Sequence, residues 1–166
     1  MRAALALVML LAGCASYSGQ GLVPGRSNTA EVEALMGAPA QKLAQPGGGS
    51  VWFYPRGGRQ GWDSYAVRIG ADGVMRSIEQ RWTVENMDRL VPGLTTEHDV
   101  LELLGPPYET ARFEPMKRTV WGYHVRQVPL WWDYWLRFSD DGVLREVVKI
   151  PDYQMEGDAP AFASLR

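Results

Sequence analysis

The sequence contains the same pattern twice, and this internal repeat restricts the possible folds more than any other feature. Residues 23–39 return 68 residues later as residues 91–107, with 7 identities in 17 positions. Farther along, residues 65–76 return as residues 134–145 at an offset of 69, with 6 identities in 12 positions. One insertion between the two blocks accounts for the change of offset. The chain is therefore predicted to form two similar small units.

Each repeat is predicted to begin with a turn and a short helix. A Val-Pro-Gly turn precedes Asn28 in the first repeat and Thr96 in the second, and an acidic residue follows each three positions later, as in a capping box. Apolar residues then recur at i, i+3 and i+4, which gives one buried stripe per helix. A glycine in the left-handed conformation and a following proline are expected to end each helix. The predicted turn and cap residues are Gly25, Asn28, Gly37, Gly93, Thr96 and Gly105.

Three strands are predicted to follow each helix. The first is rich in aromatic residues, the second alternates over residues 64–69 and 133–138, and the third covers residues 74–82 and 143–150. A period of two with one apolar face is typical of a half-buried antiparallel strand, and the Asp-Gly pairs suit hairpins. The predicted fold is α+β: two tandem repeats, each a short helix packed on a three-stranded antiparallel sheet. The pattern leaves open whether the two sheets join into one.

The N-terminus has the features of a bacterial lipoprotein signal. Arg2 is followed by an apolar run that is too short to span a bilayer, and the run ends in Leu-Ala-Gly before Cys14, the only cysteine. Cleavage between Gly13 and Cys14 would remove a signal peptide of residues 1–13. Acyl chains on the cysteine would anchor the protein to a membrane, and residues 14–22 would form a lipidated tether. The competing interpretation is a short buried helix with an incidental cysteine.

The remaining chain divides into a first repeat (residues 23–82), a linker (83–90), a second repeat (91–151) and a flexible C-terminal tail (152–166). The formal net charge is −2 and no basic run is present, so no nucleic-acid partner is predicted. Because the sole cysteine is the predicted lipidation site, an internal disulfide and a cysteine zinc site are excluded. No cofactor and no metal are predicted.

The second repeat contains glycine, apolar and aromatic residues in a recognisable order. They are Gly93, Val100, Leu103, Leu104, Gly105, Pro107, Trp121, Tyr123, Leu136, Phe138, Gly142 and Val143. This order of turn, capped helix, Leu-Gly-x-Pro, Trp-x-Tyr strand and Phe-x-x-x-Gly-Val resembles the SmpA/OmlA family, the BamE-like small outer-membrane lipoproteins. The resemblance implies an outer-membrane protein that faces the periplasm and takes part in β-barrel assembly. Members of that family usually carry one such unit, whereas this tandem pair looks like the β-lactamase-inhibitor-protein arrangement.

The sequence offers few candidates for catalysis. The two histidines, His98 and His124, correspond to Ala30 and Pro55 in the first repeat, so the repeat pattern does not require them. They could belong to a catalytic dyad or a metal site, but the favoured interpretation is an exposed polar residue on a helix and another at a strand edge. No nucleophile elbow and no phosphate loop is present. The sequence therefore predicts a non-enzymatic protein.

A binding surface is predicted at the start of the second strand of repeat two. Residues 131–135 include four aromatic side chains, and alternation places Trp135 on the face opposite to its apolar neighbours. The first repeat has Ala66 at this position, so the repeat pattern does not require an indole there. Because exposed tryptophan is a typical anchor of protein contacts, Trp131, Trp132 and Trp135 are predicted to bind a partner. The alternative is that Trp135 packs under a loop, under the tail or against the other sheet.

Together these features predict a lipoprotein anchored in the outer membrane that binds or scaffolds an envelope protein. Its partners are the membrane, through the N-terminal acyl chains, and an envelope protein; the family resemblance implies the β-barrel assembly machinery. One alternative is an inhibitor or ligand-binding module that uses the concave face of the tandem sheet. Another is an envelope hydrolase that uses His98 or His124.

Overall fold

The protein is α+β and contains two separate four-stranded antiparallel sheets. The computed structural model describes residues 18–55, 63–127 and 130–152. The first unit contains α1 (Thr29–Met36), β1 (Gln41–Ala44), β2 (Ser50–Pro55), β3 (Ser64–Ile69) and β4 (Met75–Gln80). A short helix, α2 (Val84–Met87), lies between the units. The second unit contains α3 (Glu97–Leu104), β5 (Glu109–Phe113), a 3-10 turn (Glu114–Met116), β6 (Arg118–Gln127), β7 (Leu130–Ser139) and β8 (Leu144–Pro151).

Strands that follow each other in the chain are neighbours in each sheet, and no described strand of one sheet pairs with a strand of the other. The concave face of a single tandem sheet, which the inhibitor alternative requires, is therefore not formed by the described strands. Among the helices in the described ranges, none is long and apolar enough to cross a membrane. The predicted signal peptide and the tail from residue 153 onward lie outside the described residues.

Both predicted capping boxes are present. The Asn28 side chain accepts a hydrogen bond from the Glu31 amide at 3.1 Å, and the Glu31 carboxylate accepts one from the Asn28 amide at 2.8 Å. Thr96 and Asp99 form the same reciprocal pair in the second unit. Hydrogen bonds from the hydroxyl and amide of Thr96 lower the pKa of the Asp99 carboxyl. Each helix thus begins at the residue that the sequence predicts.

The two turns that recur in both repeats bind each other through the backbone. The Gly25 amide donates to the Met75 carbonyl at 2.8 Å, and the Gly93 amide donates to the Leu144 carbonyl at 2.7 Å. The N-cap of each helix also forms a bridge with the residue after the Asp-Gly turn. In each unit, the Val-Pro-Gly turn is therefore hydrogen-bonded to the strand that follows the Asp-Gly turn. This pairing explains why both turns recur in each repeat.

The prediction of three strands per unit is wrong, because each sheet has a fourth strand at its edge. β1 pairs with β2 and β5 pairs with β6, both in antiparallel register. These two strands alternate between half-buried and exposed residues and include no fully buried side chain. The strands were predicted from sequence by a clear apolar face. Short polar edge strands lack such a face, so β1 and β5 were not predicted.

The helices end at the predicted glycines, but the backbone differs from the expected left-handed conformation. Gly37 has φ 84° and ψ −170°, and Gly105 has φ 77° and ψ −169°. Positive φ combined with extended ψ is a region that essentially only glycine enters. The amide of each glycine still donates to the carbonyl four residues earlier. The glycine requirement is confirmed, whereas the left-handed geometry is not.

Each helix packs its predicted apolar stripe on its own sheet. Val32 and Met36 are buried in the first unit, as are Val100 and Leu104 in the second. The first core also includes Trp52, Tyr54, Val67, Ile69 and Met75, and the second includes Trp82, Trp121, Tyr123, Tyr134, Leu136 and Phe138. Leu22, which the sequence analysis placed in the tether, packs against the first core. Residues 18–22 are therefore part of the first unit.

The two units meet at the C-terminal end of α3. A Cβ atom added at Gly105 would lie only 2.4 Å from the ring of Phe53, which extends from the face of the first sheet opposite α1. From the other side, the Trp82 indole donates to the Leu104 carbonyl at 3.1 Å, and the Tyr123 hydroxyl donates to the Gly105 carbonyl at 3.0 Å. One helix end thus contacts both sheets.

A matched pair of glycine substitutions tests this junction. Gly37→Ala and Gly105→Ala impose a similar backbone strain, of order 1–3 kcal/mol, because both glycines have the same unusual conformation. Only Gly105→Ala also collides with Phe53, since no atom lies within 4 Å of a Cβ at Gly37. We expect Gly105→Ala to lower the free energy of unfolding by about 1–3 kcal/mol more than Gly37→Ala, measured by denaturant titration. Equal losses would mean that Phe53 does not pack on the second unit.

Candidate functional site

The predicted aromatic segment forms the start of β7, and its three tryptophans have different surroundings. Trp131 and Trp132 are half-buried, whereas Trp135 is only 1% exposed. Trp135 does lie on the face opposite Tyr134, as predicted, but this face is covered at that point. Exposure of Trp135 is thus contradicted, and the alternative of a packed indole is correct.

Gly122 on the neighbouring strand explains the burial of Trp135. The two residues are directly paired, and a Cβ atom at Gly122 would lie 2.7 Å from the Trp135 ring and 2.9 Å from the Tyr108 ring. In the first unit, the equivalent pair is Phe53 opposite Ala66, with the large residue on the other strand. In each sheet one large and one small residue are paired at this position, but the strand that carries the large residue differs between the units. The position is therefore filled in both sheets. The sequence signal for this burial was the glycine that replaces Phe53 in the second repeat.

Cations cover the two half-buried tryptophans. The Lys149 ammonium lies 4.2 Å from the centroid of the Trp132 ring, and the Arg126 guanidinium lies 5.1 Å from that of Trp131. Cation–π contacts at exposed sites contribute about 0.5–1 kcal/mol. Each cation covers one face of its indole, so the predicted aromatic surface is smaller than the sequence implies.

The structure does not bring the two histidines to a shared site. His98 is exposed on α3 and lies 3.6 Å from Glu102. His124 is buried on β6, where Nδ1 lies 2.5 Å from the Asp133 carboxylate and the ring stacks on Tyr108 at 3.7 Å. Burial and nearby carboxylates raise the pKa of the Tyr108 hydroxyl. Within the described ranges, no three His, Cys, Asp or Glu side chains are placed to hold a metal.

An open cleft between the units forms a second candidate site, which the sequence analysis missed. We define the inter-unit cleft by Arg68, Arg81, Arg89, Val91, Leu94 and Leu103. Its volume is about 530 Å³, within the range of ligand-binding pockets. Arg68 comes from β3, Arg81 and Arg89 come from the connection between the units, and Leu103 comes from α3. The cleft exists only because the units pack together, so no local sequence pattern could predict it.

Arg81 is the most deeply placed cation of the inter-unit cleft. Its side chain is 12% exposed, and its nearest carboxylate, that of Glu79, lies 3.3 Å from one terminal nitrogen. Nε is buried and has no hydrogen-bond partner among the described residues. Burial lowers the pKa of the Arg81 guanidinium; the Glu79 carboxylate opposes this shift, and the positive charges of Arg68 and Arg89 add to it. Three guanidinium groups therefore share one partly desolvated region.

The acidic residues at the inter-unit cleft are already engaged. Asp99 accepts hydrogen bonds in the capping box of α3, and Glu102 lies next to His98. Exposed apolar side chains also line the inter-unit cleft: Val91 is 46% exposed and Leu94 is 76% exposed. Exposed aliphatic residues next to arginines combine two features of protein-binding surfaces.

Comparison with known proteins does not assign a family. No protein-family model matches the chain, and no curated protein matches it. A solved structure of a DUF4309 family protein (YjgB) from Bacillus subtilis subsp. subtilis str. 168 is similar at 18% sequence identity. The match covers 80% of this chain and 84% of that chain, with a TM-score of 0.31.

Alanine substitutions at Trp135 and Trp131 test whether Trp135 is the more deeply packed of the two. We expect Trp135→Ala to cost about 3–5 kcal/mol of unfolding free energy, because it leaves a large cavity over Gly122. For a chain of this length, that loss lowers the thermal midpoint by roughly 10 °C. Trp131→Ala, at a half-buried position of the same strand, should cost clearly less. A Trp135→Ala variant with the midpoint of the natural protein would contradict the buried position.

Proposed function

We propose that the protein is a non-enzymatic, lipid-anchored lipoprotein of the outer membrane that faces the periplasm and binds another envelope protein through the inter-unit cleft. The observation that carries this proposal is the exposure of Leu94 and Val91 beside three arginines. Aliphatic side chains exposed to this degree are stabilised by burial against a partner, and arginine is enriched at such interfaces. The half-buried Trp131 and Trp132 can add contacts at the far end of the second sheet.

The anchor in this proposal is Cys14, which lies outside the described residues. Three residues separate it from Ser18, where the described fold begins, and the four residue-to-residue steps from Cys14 to Ser18 span at most about 14 Å. Because Leu22 packs on the first core, the first unit would lie near the membrane surface. The second unit would then extend away from the membrane, where it is accessible to periplasmic partners.

β-Barrel assembly is the process that the family resemblance suggests for this partner. In this view, each unit is a BamE-like repeat to which an edge strand has been added, and the pair arose by duplication. The shared capping boxes and the equivalent bonds between the turns support a common origin of the halves. The inhibitor alternative would use the inter-unit cleft in place of the continuous concave sheet, with one periplasmic enzyme as its target.

Two exposed aliphatic residues give a matched test of this proposal. Leu94→Ala removes apolar contact area at the inter-unit cleft, whereas Met116→Ala removes a comparably exposed side chain elsewhere. We expect Leu94→Ala to reduce recovery of the partner about tenfold or more when the lipidated protein is pulled down from detergent-solubilised envelopes. Met116→Ala should leave recovery unchanged, and both variants should keep the natural thermal midpoint.

The identity of the recovered protein distinguishes the alternatives. Components of the β-barrel assembly machinery, lost with Leu94→Ala, would support the scaffold function. One unrelated periplasmic enzyme, lost with the same substitution, would support the inhibitor. Recovery that is insensitive to Leu94→Ala but lost with Met116→Ala would place the interface elsewhere and contradict the proposal.

A further inference from the structure

A second cavity lies on the sheet of the second unit, on the face opposite α3. Its volume is about 470 Å³, within the range of ligand-binding pockets. We define the outer pocket by its lining residues, which are Phe113, Met116, Arg118, Val120, Arg137, Arg145 and Glu146. The paired residues Val120 and Arg137 hold the same register positions as Val51 and Arg68, which line the inter-unit cleft on the first sheet.

One arginine of the outer pocket has no counterpart in the first unit. Arg145 and Arg76 are equivalent, and each forms an ion pair with the aspartate of its own Asp-Gly turn, so this pair belongs to the common fold. Arg118, at the start of β6, corresponds by strand register to Gly49. The fold of the repeat therefore does not require a guanidinium at position 118.

The same arginine is the unmatched charge of the outer pocket. Arg137 pairs with Glu146 at 2.8 Å, and Arg145 pairs with Asp141. Arg118 forms no ion pair and no side-chain hydrogen bond within the described part of the chain. The lining residues and their ion-pair partners thus have one positive charge in excess.

The carboxylates on the adjoining turns do not neutralise this charge. Glu114 and Asp140 both bind Arg112, at 3.2 Å and 2.5 Å respectively. Arg112 does not line the outer pocket. A ligand with a single negative charge would therefore supply the partner that Arg118 lacks.

The accessibility of the Arg118 nitrogens indicates how such a ligand would bind. The side chain is half-buried, and Nη1 is fully enclosed without a hydrogen-bond partner among the described residues. Nε and Nη2 are not enclosed. These two nitrogens form one edge of the planar guanidinium, and their parallel N–H donors match the two oxygens of a carboxylate.

The apolar residues of the outer pocket restrict the body of the ligand. Met116 is 65% exposed at the rim, Phe113 is half-buried, and Val120 is buried at the floor. A small inorganic anion would leave the Met116 side chain in water, whereas an aliphatic chain would cover it. The volume of the pocket suits one such chain rather than the two chains of a phospholipid.

We propose that the outer pocket binds a fatty acid or a similar single-chain carboxylate, with its carboxylate on Nε and Nη2 of Arg118 and its chain against Phe113 and Met116. The outer pocket and the inter-unit cleft lie on different sheets, so this inference does not depend on the proposed function. Binding to a partly buried guanidinium should weaken as the ionic strength rises.

Titration with octanoate tests the inference directly, using the full lipidated chain in a non-ionic detergent. Octanamide is the match that keeps the chain and removes the charge, and acetate is the match that keeps the charge and removes the chain. We expect octanoate to bind about tenfold or more tightly than either match, because charge-assisted hydrogen bonds and chain burial both contribute. The nitrogen-15 NMR signal of Arg118 Nε should shift with octanoate and not with octanamide.

Variants of the outer pocket provide the controls. Arg118→Gln should abolish the preference for octanoate over octanamide, and Arg112→Gln, at a paired arginine outside the lining, should retain it. If Arg118→Gln lowers the thermal midpoint, Met116→Asp replaces it, because this exposed position tolerates a polar side chain. The added carboxylate at the rim should weaken octanoate about fivefold or more and leave octanamide unchanged.

Three results would overturn the inference. Equal binding of octanoate and octanamide to the natural protein would mean that the outer pocket does not recognise the carboxylate. Acetate that binds as tightly as octanoate would indicate a small-anion site. A preference for octanoate that persists in a folded Arg118→Gln variant would place the ligand elsewhere.

Discussion

The contact between Phe53 and Gly105 fixes how the two units meet, and the other features of the structure depend on it. A residue with a side chain at the end of α3 would keep the first sheet away from the helix. The carbonyls of this helix end are at the same time bound by Trp82 and Tyr123 of the second core. The inter-unit cleft lies along the same face of the first sheet, since Val51 and Arg68 belong to that face. Packing of two small units thus creates a concave surface that neither unit has alone.

The two units have become different on the faces that their helices do not cover. In the first unit, Phe53 on β2 extends toward α3, and Ala66 beside it leaves room. In the second unit, Trp135 on β7 lies over Gly122 and closes the corresponding face with its own indole. The first sheet therefore uses this face to join the units, whereas the second uses it as an additional core. This difference explains why Trp135 needs no partner protein for its burial.

Local sequence patterns predicted the parts of the fold that local interactions determine. The capping boxes fixed the starts of α1 and α3, and apolar alternation gave the bounds of β3. The edge strands β1 and β5 were missed because neither has a clear apolar face, and α2 was missed because one turn of helix is too short for a periodic signal. Burial of Trp135 depends on Gly122 in a neighbouring strand, so the alternation of β7 alone could not reveal it.

The inter-unit cleft could not be predicted from local patterns, because its arginines are distributed over a strand and the connection between the units. The central claim is that this cleft contacts an envelope protein, and photo-crosslinking in intact cells tests it most directly. A photoreactive amino acid at position 94 should give one discrete crosslinked product with an envelope protein, and the same group at position 116 should not. A discrete product from position 116 with none from position 94 would contradict the account.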